Sequence, residues 1–159
     1  MRLHVPVQLR WSDIDAYAHV NNASMLRLLE EVRIEAFWVT GESIDSTDGV
    51  GPAVLDGRPG SDTLSLIARQ EVEYLRPIPY QRTPLDAEVW IGKIGGASLD
   101  LCYEIYSTAG TEPRLLYARA ATTLVLANAS DSKPRRITEA ERTAWSPYTE
   151  QPVRFAQRR

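Results

Sequence analysis

The sequence predicts an α+β domain in which one curved antiparallel sheet wraps around a single long helix. Three observations predict it. One segment after Asn21 carries apolar residues at helical spacing and on more than one face. Later runs alternate apolar and polar residues with the period of a strand. The connections between the last of these runs are too short for parallel crossovers, so neighbouring strands must run antiparallel. A sheet folded around a helix that is apolar on several sides buries both.

The elements follow in order. Leu3, Val5, Val7, Leu9 and Trp11 alternate with polar residues and predict a first strand over 3–11. Pro6 places that strand at an edge or a bulge. Residues 12–20 form a loop rich in Asp and Ala. The helix begins near Asn21 and Asn22, because an asparagine side chain can accept a bond from an otherwise unpaired backbone N–H. Met25, Leu28, Leu29, Val32 and Ala36 mark its buried stripe; Leu26, Phe37 and Trp38 widen it, and Gly41 is the expected stop. Residues 42–65, rich in Gly, Asp, Ser and Pro, are expected to be a long loop with a short hairpin at Asp56-Gly57.

Strands are then expected over 66–76, 84–94, 98–107 and 114–126, joined in sequence as a meander. Gly95-Gly96 makes the tight turn between the second and third of them. A last helix starts at Thr138, with Glu141 completing a capping box, and runs to Trp145. Residues 1–145 are thus one domain, and 146–159 a tail expected to be poorly ordered.

A chain of 159 residues fits one domain with an adequate core. Its 43% hydrophobic and 25% charged residues match an ordinary soluble globular protein. A net charge of -3 without a basic stripe argues against nucleic acid as a partner, and Arg135-Arg136 and Arg158-Arg159 read as solvated surface. The single cysteine, Cys102, forbids an intramolecular disulfide or a cysteine-cluster metal site and is expected to be buried. His4 and His19 alone cannot make a typical zinc site, so no metal or cofactor is expected. No apolar run approaches the roughly 20 residues that span a bilayer, and the first ten residues lack a secretory apolar core. No membrane partner is expected, and the cytoplasm is the simplest compartment.

The chemistry is concentrated in Trp11-Ser-Asp-Ile-Asp-Ala-Tyr-Ala-His-Val-Asn-Asn22. It offers two carboxylates, a histidine and two asparagines immediately before a helix. A helix N-terminus presents unpaired N–H groups and a partial positive charge. Such donors stabilise an oxyanion in acyl transfer, by about 10²–10³-fold in rate for each. A carboxylate beside them can activate water or attack a carbonyl. Asp15 with the N–H groups near Asn21 and Asn22 therefore supplies the minimum parts of a hydrolase. The residues alone equally allow Asp15 to be a turn former, the usual role of an aspartate before a helix.

The segment Asp15-Ala-Tyr-Ala-His-Val-Asn-Asn-Ala23, with Leu29-Glu-Glu-Val-Arg33 after it, resembles the signature of the 4-hydroxybenzoyl-CoA thioesterase family. Members commonly carry Asp-x-x-Gly-His-Val-Asn-Asn and then Leu-Glu-x-x-Arg. Val72-Glu-Tyr-Leu-Arg-Pro77 is similar to the family's strand ending in Tyr-x-Arg-Pro, and Ile94-Gly-Gly-Ala-Ser98 to its Ile-Gly-x-x-Ser hairpin. The resemblance runs through most of the chain in the family's order. It implies a hotdog fold, dimers joined sheet edge to sheet edge, frequent pairing into tetramers, and active sites between protomers. It further implies that Asp15 is the catalytic aspartate and that a backbone N–H at Asn22 is the oxyanion donor. One departure is Ala18, where the family commonly has glycine; another is the length of 42–65, which could act as a lid.

The expected function is hydrolysis of an acyl-CoA or acyl-carrier-protein thioester by a homodimer or homotetramer. His19 either assists Asp15 or ties the loop to the helix. Asn21 caps the helix beside the substrate. Arg76, Arg82 and Lys93 are candidates for the phosphates of CoA, while Gly96 and Ser98 form a turn first and a CoA contact second. Asp13 reads as a turn or cap residue, and Glu30 and Glu31 as surface or partners of Arg33. The four tryptophans read as core or interface. Two other readings remain: a binding module without catalysis, and a hotdog hydratase or dehydratase, whose usual Gly-Asp-x-Asn-Pro core is absent here.

Overall fold

The computed structural model describes residues 1–39 and 53–156. In chain order its main elements are β1 (Leu3–Val7), α1 (Asn22–Phe37), β2 (Trp38–Val39), β3 (Leu55–Asp56), β4 (Thr63–Tyr74), β5 (Leu85–Ile94), β6 (Ser98–Tyr106), β7 (Leu116–Asn128) and α2 (Glu139–Trp145). Five strands form one antiparallel sheet in the order β1-β5-β6-β7-β4. The period-2 pattern fixes its inner face: Val5 and Val7, Leu85 to Ile91 at alternate positions, Leu99, Leu101, Tyr103 and Ile105, and Ala118, Ala120, Leu124 and Leu126. They share one core with Met25, Leu28, Leu29, Val32, Ala36 and Phe37 of α1. The buried stripe of the helix is therefore covered as its sequence requires, whereas Leu26, expected to widen it, is 41% exposed.

The meander expected of the four later strands is only partly correct. β5, β6 and β7 follow one another, but β4 pairs with β7 at the far edge and β1 lies beside β5. The connection over 75–84 holds Pro77, Pro79 and Pro84, too long and too poor in donors for a hairpin. It runs instead beside the loop before α1, where the Val20 N–H donates to the Ile78 carbonyl at 2.9 Å and His19 pairs with Pro79. Pro6 lies on the edge strand β1, as expected. That strand ends at Val7, and Trp11–Asp13 form a 3-10 turn. The expected hairpin at Asp56-Gly57 is absent, because Leu55 and Asp56 pair in parallel with Trp38 and Val39. The helix ends at Phe37, before Gly41, which lies with 42–52 outside the described residues.

The described part of the tail, residues 146–156, is held against the domain. Residues 149–156 cross the outer face of the sheet, opposite α1. Thr149 pairs in parallel with Ile91, the Glu150 N–H donates to the Ile91 carbonyl at 3.0 Å, and the Val153 N–H donates to Cys102 Sγ at 3.4 Å. Trp90 explains the cover. It points outward from the middle of the sheet yet is fully buried, donating its indole N–H to the Gln151 carbonyl at 2.9 Å, with the Arg2 guanidinium 3.8 Å above its ring. Gly92 makes the crossing possible: a Cβ there would meet Cys102 Sγ at 2.7 Å and Pro152 Cα at 3.2 Å. Cys102 is buried as expected, and burial pushes its thiol pKa up. Arg135 is not the free surface residue expected. It donates to Glu141 at 2.6 Å and to Thr63 at 2.8 Å, bracing the capping box of α2.

Candidate active site

The loop before α1 is closed by its own hydrogen bonds. The Asp15 N–H donates to the His19 carbonyl at 2.9 Å, and the Ala18 N–H donates to the Asp15 carbonyl at 3.1 Å. Asp15 Oδ1 accepts the N–H groups of Tyr17 at 2.8 Å and His19 at 3.3 Å, the side-chain turn that aspartate favours. Ala18 takes the left-handed backbone, φ 63°, which explains the glycine at the matching position of the family signature. Asp13 is buried and fastens the loop: its carboxylate accepts the Arg10 N–H at 2.7 Å, and its carbonyl accepts the Asn21 N–H at 2.8 Å. Asn21 is the N-cap, its side chain accepting the Ala23 N–H at 2.8 Å.

These bonds point Asp15 into a cleft of about 380 Å³ at the start of α1, lined also by His19, Asn22, Met25, Tyr74 and Arg76. Only Oδ1 is tied to the loop. Asp15 Oδ2 has neither a hydrogen-bond partner nor an ion pair among the described residues. The Asn22 N–H, first in the helix, likewise has no acceptor among them. A half-buried carboxylate with an open oxygen thus faces the positive end of a helix.

Of the residues expected at the site, Asp15, His19, Asn22 and Arg76 meet in this cleft, and Asn21 holds the helix start beside it. Gly96 and Ser98 do not line it within one chain. They form the β5–β6 turn, where the Gly95 N–H donates to the Ser98 carbonyl at 2.8 Å and the Gly96 carbonyl accepts the Ile137 N–H at 2.8 Å. Glu30 pairs with the buried Arg33 at 3.3 Å. Glu31 lines a different groove, about 440 Å³ between β1 and α1, with Glu35 and Arg10. That groove is larger, but its carboxylates project from the middle of the helix, where every N–H is already bonded along the axis. It therefore lacks the free helix-start N–H that the cleft at Asn22 holds.

Tyr74 is a lining residue that motif reasoning quoted without giving it a role. Its hydroxyl donates to the Asn22 carbonyl at 3.1 Å and pins the helix start to β4, and burial raises its pKa. The signal was present in the Tyr-x-Arg-Pro match. Arg76 donates to the Leu116 carbonyl at 2.9 Å and has no acidic partner among the described residues. One group elsewhere has the donors for a cation: His4, Asp86 and Glu88 offer atoms within 4.8 Å of one another. Arg114 already holds Asp86 at 2.6 Å and Glu88 at 2.7 Å, so an ion would have to displace a guanidinium.

An antiparallel sheet curved around one central helix, with an acidic loop at the helix start, is the hotdog architecture. Residues 9–144 match the model of the thioesterase-like superfamily, and the chain belongs to that superfamily. No curated protein matches the sequence. Among solved structures, a predicted thioesterase from Bacillus stearothermophilus is 22% identical over 96% of this chain and 100% of its own, with a TM-score of 0.72. A thioesterase from Thermus thermophilus, complexed with coenzyme A and Zn, is 24% identical over 91% of this chain and 92% of its own, with a TM-score of 0.65. At these identities the likeness is one of fold. No helix among the described residues is long and apolar enough to cross a membrane.

Proposed function

We propose that the protein is an acyl-CoA thioesterase in which Asp15 drives hydrolysis. The observation that carries this reading is the open Asp15 Oδ2 in the same cleft as the unpaired Asn22 N–H. The thioester carbonyl oxygen points at that N–H, which takes up the negative charge of the tetrahedral intermediate. Asp15 either removes a proton from water as the water attacks the carbonyl carbon, or attacks that carbon itself to form an anhydride that water then cleaves. Both routes break the C–S bond, release CoA as the thiol, and leave the acyl group as a free acid. His19 borders the cleft within reach of the leaving group. The Thermus thermophilus structure, complexed with coenzyme A, supports a CoA thioester as substrate.

The enzyme works as a homodimer or homotetramer in the cytoplasm, and residues 1–145 form its catalytic domain. The outer edge of β4, a 12-residue strand paired with β7 alone among the described residues, is the edge we assign to a second copy, and Leu64, Leu66 and Ile67 are exposed along it. Gly96 and Ser98 reach substrate from the partner protomer. Thiol release from short, long and aromatic acyl-CoAs, with free acid measured in parallel, tests the reading. It predicts equal yields of thiol and acid. A product altered in its acyl chain without thiol release would identify a hydratase, and tight binding without turnover a binding module.

A further inference from the structure

The two segments that meet at the cleft carry an aromatic pair that the hydrolysis does not use. Trp11 is 73% exposed within the chain, unlike the buried Trp90 and Trp145, so of its two expected places, core or interface, it is not in the core. It meets Tyr80 edge to face, with ring centroids 5.1 Å apart and planes at 82°. Such a contact occupies at most one face of one ring, so an indole face stays open to solvent.

Both rings are carried by segments that are bonded to the cleft through their backbones. Trp11 opens the turn whose Asp13 carbonyl accepts the Asn21 N–H, one residue before the proposed oxyanion donor. Tyr80 follows Pro79, which pairs with the cleft residue His19. Arg76 lines the same cleft, and Arg82 lies two residues beyond Tyr80; both are exposed and neither has an acidic partner among the described residues. In a chain of net charge -3, two arginines without acidic partners on the same segment as Tyr80 suit an anion that carries a flat ring.

We propose that Trp11 and Tyr80 stack the adenine of a coenzyme A thioester while Arg76 and Arg82 face its phosphates. The proposal rests on the thioesterase reading and selects CoA over carrier-protein thioesters, whose phosphopantetheine arm bears no base. Aromatic rings stack any base through its π-face, and guanidinium groups pair with phosphate oxygens in a fixed fork.

The test compares an acyl-CoA with the matching acyl-pantetheine, which lacks the nucleotide. Trp11→Ala should raise KM for the acyl-CoA about tenfold, the loss of one base stack, with kcat unchanged and with no change in KM for the acyl-pantetheine. Trp11→Phe should keep most of the affinity. Adenosine 3′,5′-bisphosphate should inhibit the wild type competitively and Trp11→Ala far more weakly. An equal rise in KM for both substrates, no rise for either, or a change of oligomeric state in Trp11→Ala would overturn the proposal. If the wild type hydrolyses neither substrate, the thioesterase reading fails on its own. Calorimetric binding of adenosine 3′,5′-bisphosphate then decides the stacking surface: weaker binding by Trp11→Ala supports it, and equal or absent binding overturns it.

Discussion

Ala18 shows how much a single residue can reveal about the loop that holds the site. At φ 63° it occupies the left-handed region, which costs a residue with a Cβ about 1–2 kcal/mol, while glycine enters it freely. Glycine also adds freedom to the unfolded chain, which offsets part of that gain. Ala18→Gly should therefore stabilise the protein by about 0.5–1 kcal/mol, a rise in Tm of about 1–4 °C, measurable by thermal unfolding. Unchanged or lower Tm would show that the loop is not strained. The placement of Asp15 and Asn22 at the helix start was legible in the sequence because the geometry is local: the bonds that orient Asp15 span at most four residues. Tyr74 and Ile78 were not legible as partners of the helix start, since they reach it from more than fifty residues away. Trp11 was legible only as a core or interface ring, because alternation marks a residue as apolar but cannot distinguish a core ring from an exposed one.

Among the elements, α2 was legible almost residue by residue, because a capping box is a sequence pattern with one geometry. The position of β4 was not, because a strand's own residues do not encode which neighbour it pairs with. The box also carries a pH-dependent contribution. Burial on its own would raise the Glu141 carboxyl pKa, but hydrogen bonds from Arg135 and the Thr138 N–H outweigh burial and hold it below its ordinary value. A carboxyl lowered by folding stabilises the native state above its unfolded pKa, and that stability is lost as pH falls through the folded one. Glu141→Gln should cost about 1–2 kcal/mol at pH 7, with a smaller difference from wild type under acid conditions below the folded pKa. Urea unfolding of both proteins at pH 7 and in acid measures this. A difference that does not shrink in acid would mean that the charge contributes nothing.

Across the whole molecule, the sheet is covered on both faces by different means: α1 fills the inner face, and residues 149–156 close the outer one over Trp90. The cover was invisible in the sequence, because a strap held by backbone bonds to a strand shows no side-chain period. Removing residues 149–159 should expose Trp90 and cost about 2–3 kcal/mol, the contribution of burying one large apolar side chain. Denaturant unfolding would record the loss, together with a red shift of tryptophan emission in the folded protein. Unchanged stability and emission would show that the strap is not what buries Trp90. The candidate cleft opens at the start of α1, while this strap crosses the outer face of the sheet, so the truncated protein should keep its KM.

The decisive measurement is kcat for Asp15→Asn on the best acyl-CoA substrate, made on protein whose melting temperature matches the wild type. Asparagine keeps the side-chain oxygen that accepts the Tyr17 and His19 N–H groups, so the loop is preserved while the charge facing the cleft is removed. Turnover should fall by about 10³-fold or more. An Asp15→Asn protein that hydrolyses its thioester at close to the wild-type rate would contradict the role of Asp15 and move the chemistry to another group.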